Sequence, residues 1–402
     1  MRFRWVFWIL ALFTVLFAAR TEAQGVIVHS QPLPARPSPQ PTPEQIAKMP
    51  VVALPVRDFK LLSSATGWVS TGNQLLLTTD NGAHWKDISP PVPDLPDARE
   101  NKFSGVFFLN ANTGWLLYAT DTNDTNAEGR PYGYNIHLAS TTDGGASWTT
   151  MSQLPRLNPW ADLTGGGDVA FSDQLHGWVD LGVMRGGVLF ATSDGGHTWR
   201  RSGGGGLSMV AASDRDLWFS GGMDDKLFVS HDGAETVTEV DIPFPEGVSE
   251  DDYYPTYSLP QFTDRFHGSE KVLYSAGAEK STVVLFATSD GGQTWKPDRS
   301  LTDLPEITAG SMIGSTVVGS EWIIPLASKQ QPDGILRLHS GERVPLGSQR
   351  GGGDILACSA SFSTPEVGWT NCSGSLSSTV DGGAHWTVIT PRARGASSLP
   401  IR

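Results

Sequence analysis

Apolar residues in this chain come in short runs, and the same polar turn follows run after run. Leu75-Leu76-Leu77 leads into Thr78-x-Asp80-x-Gly82-x-x-Trp85, and Val283-Val284-Leu285-Phe286 leads into Thr288-x-Asp290-x-Gly292-x-x-Trp295. The turn recurs with Thr141, Asp143, Gly145 and Trp148, with Thr192, Asp194, Gly196 and Trp199, and with Thr379, Asp381, Gly383 and Trp386. Apolar runs this short, bounded by glycine-rich turns, predict strands, and each turn predicts a hairpin. Glycine accepts the positive φ of a tight turn, the Asp carboxylate accepts turn N–H groups, and the Thr hydroxyl adds a bond at the strand end. The repeat aspartates Asp80, Asp143, Asp194, Asp290 and Asp381 are therefore expected to form turns, not to catalyse. The repeat tryptophans Trp85, Trp148, Trp199, Trp295 and Trp386 are each expected to wedge against the next unit while the indole N–H finds an acceptor.

A degenerate sixth copy reads Ser230-His231-Asp232-Gly233, with Ala234 for the second Gly and Val237 for the Trp. A second marker, Trp usually after Gly, precedes the turns at Trp68, Trp115, Trp178, Trp218, Trp322 and Trp369, with Tyr274 expected in the equivalent place of the fifth unit. Together the markers count seven units, the sixth having lost its turn motif. Self-similarity at a few tens of residues predicts an array of supersecondary units.

The turn motif resembles the Asp-box, or BNR, repeat. With the Gly-Trp marker, the combined spacing is most similar to the propellers of the photosystem II stability/assembly factor group, over roughly residues 53 to 392. The resemblance implies an all-β fold, a seven-bladed β-propeller of four-stranded antiparallel blades with Asp-box turns. It implies an exported protein that holds membrane-protein intermediates or extracellular polymers. The Asp-box also occurs in sialidases, other glycoside hydrolases and sortilin-type receptors, and fold alone does not assign function.

The ends divide the chain further. Arg2 and Arg4, an apolar stretch from Trp5 to Ala19 and Thr21-Glu22-Ala23 predict a signal peptide over residues 1–23. The apolar stretch is short for a membrane span, so none is expected after cleavage. Residues 24–52 carry seven prolines and predict an extended linker; 53–392 is the propeller and 393–402 a tail. A secreted or periplasmic location follows as the expectation.

Cys358 and Cys372 are the only cysteines and lie equally far from Pro365, in a turn between two predicted strands. In an oxidising compartment that placement predicts a cross-strand disulfide pinning the last blade. Removing Arg2, Arg4, Arg20 and Glu22 takes 29 basic and 42 acidic residues to 26 and 41, a net charge near −15. So acidic a chain, with no phosphate loop or basic stripe, excludes nucleic-acid binding and disfavours anionic membranes. No cofactor and no metal site are expected, and the nine histidines show no ligand spacing.

The repeat turns lie at one end of each blade, between its third and fourth strands. The connections between blades share the opposite face with the second-to-third-strand turns, and long loops on a rigid scaffold are where binding resides. Of the Trp residues after the signal, only Trp160 has no repeat role. Tyr132, Tyr134, Tyr253, Tyr254 and Tyr257 also fall on predicted long loops of that face. The ligand-binding candidates are Trp160, Tyr132, Tyr134, Tyr253, Tyr254, Arg130 and Arg156; the alternative is that these rings pack their own loops.

The resulting expectation is a monomeric, non-catalytic binding or assembly platform for a protein partner in the membrane or envelope. The alternatives are a sialidase-like or other glycoside hydrolase, with paired carboxylates at the channel mouth, or a glycan-binding module.

Overall fold

The computed structural model describes residues 26–27, 31–32, 51–93, 95, 101–122, 133–155, 167–183, 186–203, 205–206, 208–220, 226–276, 280–302, 314–326, 334–345, 358–372 and 375–394. It is a seven-bladed β-propeller, and each blade is a four-stranded antiparallel meander drawn from one contiguous stretch. Blade 1 runs Asp58–Leu61, Gly67–Ser70, Leu75–Thr78, Lys86–Asp87, and blade 2 runs Phe103–Phe108, Gly114–Asp121, Tyr134–Thr141, Thr149–Gln153. Blade 3 is Gly167–Phe171, Gly177–Val183, Gly186–Thr192, Thr198–Arg201; blade 4 is Ser208–Ala211, Leu217–Ser220, Leu227–Ser230, Thr238–Glu239. Blade 5 opens with Tyr254–Tyr257 and Gln261–Phe262 and continues through Gly268–Ala276, Lys280–Thr288 and Lys296–Thr302. Blade 6 is Thr316–Val318, Glu321–Leu326, Gly334–Arg337, Glu342–Pro345; blade 7 is Cys358–Phe362, Gly368–Cys372, Ser375–Thr379, Thr387–Val388. First strands of neighbouring blades touch one another, so they line the central channel.

The repeat turn explains its own sequence. In blade 1 the Thr78 hydroxyl donates to Asp80 Oδ1 and accepts the Gly82 N–H, while the same Oδ1 accepts the His84 N–H. Residues four and five of the turn both have positive φ, filled by Asn81 and Gly82 here and by Gly-Gly in blades 2, 3, 5 and 7. The degenerate copy keeps the whole network with Ser230, Asp232 and Thr236, and carries positive φ on Gly233 and Ala234.

A second local rule fixes the glycine before the Trp. Phe108, Phe171, Phe262 and Phe362 end first strands six residues before Gly114, Gly177, Gly268 and Gly368. A Cβ on any of these glycines would come within 2.3 to 2.7 Å of the Phe ring. That register corrects the fifth unit. Gly268 pairs with Thr288 as Gly67 pairs with Thr78, so Ser269 holds the Trp position and Tyr274 lies five residues further along the strand.

The core lies between blades. Trp115 of blade 2 stacks on Phe171 of blade 3 at 3.8 Å, and Trp218 of blade 4 meets Trp295 of blade 5 at 5.8 Å. Trp115 and Trp218 fill the face toward the following blade, whereas the marker Trp322 of blade 6 turns to the preceding one. The turn indoles therefore take the other face, which corrects the expected wedge against the next unit: they pack on the preceding one. Trp148 donates its indole N–H to the Ile88 carbonyl of blade 1 at 2.7 Å, and Trp199 donates to Ser152 Oγ of blade 2 at 2.7 Å. Trp386 meets Phe362 edge-on at 6.2 Å and packs on Ile323 and Ile335 of blade 6. Nor does every turn indole find the expected acceptor. The N–H groups of Trp85, Trp295 and Trp386 are buried without one, because apolar and aromatic side chains surround them where Ile88 and Ser152 offer an oxygen in blades 1 and 2.

Among the described residues no blade exchanges a strand to close the ring. Blade 7 meets blade 1 through Trp369 against Trp85 at 5.8 Å and through Leu61 N–H to Ser361 Oγ at 2.9 Å. Outside both blades, Val51–Ala53 pairs antiparallel with Arg392–Arg394, a ribbon that ties the two ends of the propeller together. Further upstream, Val26–Ile27 pairs with Thr198 and Trp199 on the outer edge of blade 3, and Gln31–Pro32 pairs with Thr149 and Thr150 on blade 2. The expected linker thus contributes two short edge strands.

Cys358 and Cys372 sit directly opposite in the register of blade 7 and are disulfide-bonded. The expected signal peptide lies outside the described residues. Among those described, no helix is long and apolar enough to cross a membrane.

Candidate functional site

The repeat turns occupy one face of the ring, and their carboxylates are consumed there. Asp80, Asp290 and Asp381 are held down to about 2, by the His84 N–H, the Thr294 hydroxyl and the His385 N–H respectively as the leading causes. Asp143 is lowered too, led by the Ser147 hydroxyl; at Asp194 partial burial opposes, and the Thr198 hydroxyl and N–H outweigh it. These groups stay ionised and accept bonds within their own turns, which suits a staple. The same face carries the pairs His84–Asp80, His176–Asp173, His231–Asp216, His267–Asp264 and His385–Asp381, all at 2.6 to 2.8 Å. It also exposes Leu109, Leu175, Phe266 and Val380. Sequence reading passed over these because each fills a variable turn position.

On the opposite face, Trp160, Tyr132, Arg130 and Arg156 lie outside the described residues. Tyr134 is half-buried at the start of the third strand of blade 2. Tyr254 and Tyr257, expected on a loop, belong to the first strand of blade 5, and Tyr253 immediately precedes it. Pro255 hid that strand from the sequence, but a first strand is a channel-side edge, where a residue without an N–H is tolerated. Tyr253 and Tyr257 pack with Phe244 and Val248 against the blade 4–blade 5 core. Tyr254 does not; it is 78% exposed, the most accessible of the large apolar side chains described. Glu250, Asp251 and Asp252 lead up to it on the connection from blade 4, and all three are exposed.

The channel wall carries a second, titratable group of side chains. On the first strand of blade 1, Phe59 and Leu61 are buried, while Asp58 and Lys60 alternate with them and remain open to water. The surrounding ring pushes Asp58 up to about 6, against the Phe59 N–H and Lys60, and pushes Lys60 down, against Asp58, and the water that reaches both side chains tempers the two shifts. Asp168, on the first strand of blade 3, is pushed up to about 7, by burial first; the charges of Asp58 and Asp180 add to it, opposed by the Met209 and Val169 N–H groups. Asp180 lies directly opposite Asp168 on the second strand and is raised to about 6 by burial. The alternation of Asp58 and Lys60 was the available signal, since a charged pair at every second position of a strand marks one solvated face.

Blade 5 holds a third group. Where the Trp is absent, Ser269 accepts the indole N–H of Trp322 at 2.9 Å, and Lys271 Nζ lies 4.3 Å from that ring. Glu270 turns to the other side of the strand, where the Ser258 hydroxyl donates to it at 3.1 Å. Both charges are fully buried. Burial raises Glu270 and lowers Lys271 to about 7, each opposed by the other's charge. No three His, Cys, Asp or Glu side chains among the described residues are grouped so as to hold a metal ion.

No family model and no curated protein sequence matches this chain. Solved structures do. A structure of YCF48 from Cyanidioschyzon merolae is 16% identical over 71% of this chain and 84% of its own, with a TM-score of 0.41. YCF48 bound to D1 peptide is 18% identical over 72% and 96%, with a TM-score of 0.34. One of two prolyl endopeptidases analysed for inter-domain dynamics in catalysis and specificity is 10% identical over 88% of this chain but 54% of its own, with a TM-score of 0.50. At such identities a likeness concerns the fold alone.

Proposed function

We propose that this protein is an exported, non-catalytic propeller that holds a protein partner on the face opposite the repeat turns. The observation that carries the reading is Tyr254. It projects 78% exposed from a strand of the rigid ring, while its neighbours Tyr253 and Tyr257 are packed into the core. An aromatic side chain loses little conformational freedom on binding and presents a large amphipathic surface, which suits it to anchor a partner. Glu250, Asp251 and Asp252 beside it favour a partner segment that carries positive charge. Export rests on the amino-terminal sequence pattern and agrees with the disulfide in blade 7.

The raised carboxyls Asp58 and Asp168 favour a second reading, hydrolysis of a glycan in the channel. A retaining or inverting glycosidase needs one carboxyl kept protonated and one ionised. Both oxygens of Asp168, however, already accept backbone N–H groups, from Val169 at 2.9 Å and Met209 at 3.0 Å. A catalytic acid needs an oxygen facing its substrate.

The deciding experiment is cross-linking and mass spectrometry on tagged protein drawn from its native envelope, wild type beside Tyr254→Ala. The reading expects a defined protein partner that the variant loses while its melting temperature stays within about 2 °C, as for a surface substitution. Hydrolysis of fluorogenic glycosides that disappears in Asp58→Asn would replace it with the glycosidase.

A further inference from the structure

Asp168 and Asp180 form a relationship that neither partner binding nor the repeat architecture requires. They are directly opposed residues on the first and second strands of blade 3, so their side chains leave the same face of the sheet. Like charges in that position repel. Both reach across to blade 4: Asp168 Oδ2 accepts the Met209 N–H at 3.0 Å, and Asp180 Oδ2 accepts the Gly206 N–H. Asp168 Oδ1 accepts the Val169 N–H. Of the four oxygens, only Oδ1 of Asp180 accepts nothing, and Asp180 is 2% exposed.

The surroundings bring backbone close but no counter-charge. Gly187 leaves the space that Asp180 fills, since a Cβ there would overlap its carboxylate; Gly205 packs on Gly187, and Gly206 on Ser220. From blade 4, the groups that meet the pair are the amides of Gly206 and Met209. From blade 1, the charged neighbour is Asp58, itself beside Lys60. Among the described residues no cation stands against either carboxylate at ion-pair distance.

We propose that the two carboxyls hold a single proton between them, carried on Oδ1 of Asp180, and that this singly ionised pair is a pH-sensitive latch fastening blade 4 to blade 3 beside the channel. One negative charge spread over the pair serves the three backbone N–H groups. The proton removes the cost of burying an unpartnered ionised oxygen. When the second carboxyl ionises, two like charges face each other across the strand pair, and the contact to blade 4 is the part free to give way. The pattern is that of coupled carboxyls elsewhere, where proximity and burial keep one of two acids protonated. Both acids are held above the usual carboxylate range here, chiefly by burial, Asp168 the further of the two. The proton is nevertheless placed on Asp180, because both oxygens of Asp168 already accept backbone N–H groups and Oδ1 of Asp180 accepts none.

The test is amide hydrogen exchange of the full chain, resolved at Gly206 and Met209 and corrected for intrinsic rates, between pH 5 and 8.5. Wild-type protection at both amides should fall about tenfold as the second proton leaves, which corresponds to about 1.4 kcal/mol. Asp180→Asn keeps the volume and stays neutral, so its protection should vary less than about threefold over that range, while amides in blade 7 behave as in wild type. Asp168→Asn should behave alike, which guards against one variant misfolding. Protection independent of pH in the wild type would overturn the latch, as would an asparagine variant that keeps the full dependence. Recovery of protection at pH 8.5 with millimolar calcium or magnesium would show a cation site instead of a proton.

Discussion

The indole N–H of Trp369 in blade 7 donates to Oδ1 of Asn81 in blade 1 across 2.6 Å, joining the last blade to the first. Asn81 occupies the turn position that is glycine in the other repeats and has φ of 56°, a conformation asparagine tolerates better than most residues. The one departure from glycine thus falls where the ring must close and supplies a polar anchor there. Asn81→Gly should keep the turn but orphan the indole, costing about 1 kcal/mol. Trp369→Ala should cost about 3–5 kcal/mol. Chemical denaturation measures both, and the Leu61 amide, bonded to Ser361 Oγ across the same seam, should exchange faster first. Asn81→Gly proving more stable than wild type would mean that backbone strain outweighs the anchor.

Ala234 and Ser202 make a complementary pair at the seam between blades 3 and 4. A Cβ on Gly82 would meet Ile389 at 2.8 Å, and one on Gly145 would meet Ile88 at 2.7 Å, so those turns require glycine. In the degenerate turn the methyl of Ala234 is fully buried, and the residue that faces it from blade 3 is Ser202, whose hydroxyl donates to the Ala234 carbonyl. The volume given up by an isoleucine is taken by the alanine. Ser202→Ile alone should therefore overpack the seam and cost about 1–3 kcal/mol. Adding Ala234→Gly should recover much of that loss. A double-mutant cycle measures the coupling, and strict additivity would show that the two side chains do not compete for one space.

Local chemistry was legible in the sequence, and non-local chemistry was not. The turns could be read because Thr78, Asp80, Gly82 and His84 satisfy one another within seven residues, whatever surrounds them. The blade count followed. Which neighbour Trp148 and Trp386 pack on could not be read, since a repeat spacing carries no direction around the ring; Ile88 and Ile335 of the preceding blades decide it. Tyr274 does not hold the marker place because register and not ring type sets it, and the Phe262-to-Gly268 spacing carries that register in the sequence. Glu270 and Lys271 gave no sign of full burial, since that depends on Ser258 and Trp322 arriving from distant parts of the chain. The facing of Asp168 and Asp180 likewise depends on strand register, which glycines at Gly165-Gly166-Gly167 leave underdetermined.

Blade 7 is held at its edge by side-chain packing, with no strand exchange among the described residues, and its disulfide joins first and second strands at their loop-face ends. The bridge spans a sequence separation of 14, for which the lowered entropy of the unfolded chain predicts about 3 kcal/mol of stabilisation. Cys358→Ala with Cys372→Ala should lower stability by about that amount. A cooperative unfolding transition should remain, because Trp369, Leu376 and Ile389 still pack against blade 1. The check is denaturation with and without reductant, which should move the wild type and leave the double variant unmoved.

Two sets of carboxyls pull stability in opposite directions along the pH axis. Asp80, Asp264, Asp290 and Asp381 are held near 2 in the fold, led by hydrogen bonds from His84, Phe266, Thr294 and His385 respectively. A depressed carboxyl contributes stability that is present above its ordinary value near 4 and is lost as pH falls through 2. Asp58, Asp168 and Asp180 are raised by burial to about 6, about 7 and about 6. A raised carboxyl favours the fold below its ordinary value near 4, and that contribution is lost as pH rises through 6 to 7. The melting temperature should therefore peak between about pH 4 and 5.5, fall steeply below pH 3 and decline gently to pH 8. Asp180→Asn, which removes the most buried of the three, should make the decline on the neutral limb shallower and leave the acid limb alone. A wild-type melting temperature that is level from pH 5 to 8 would mean that the channel carboxyls are relieved by water or a bound cation, and that their burial costs the fold nothing.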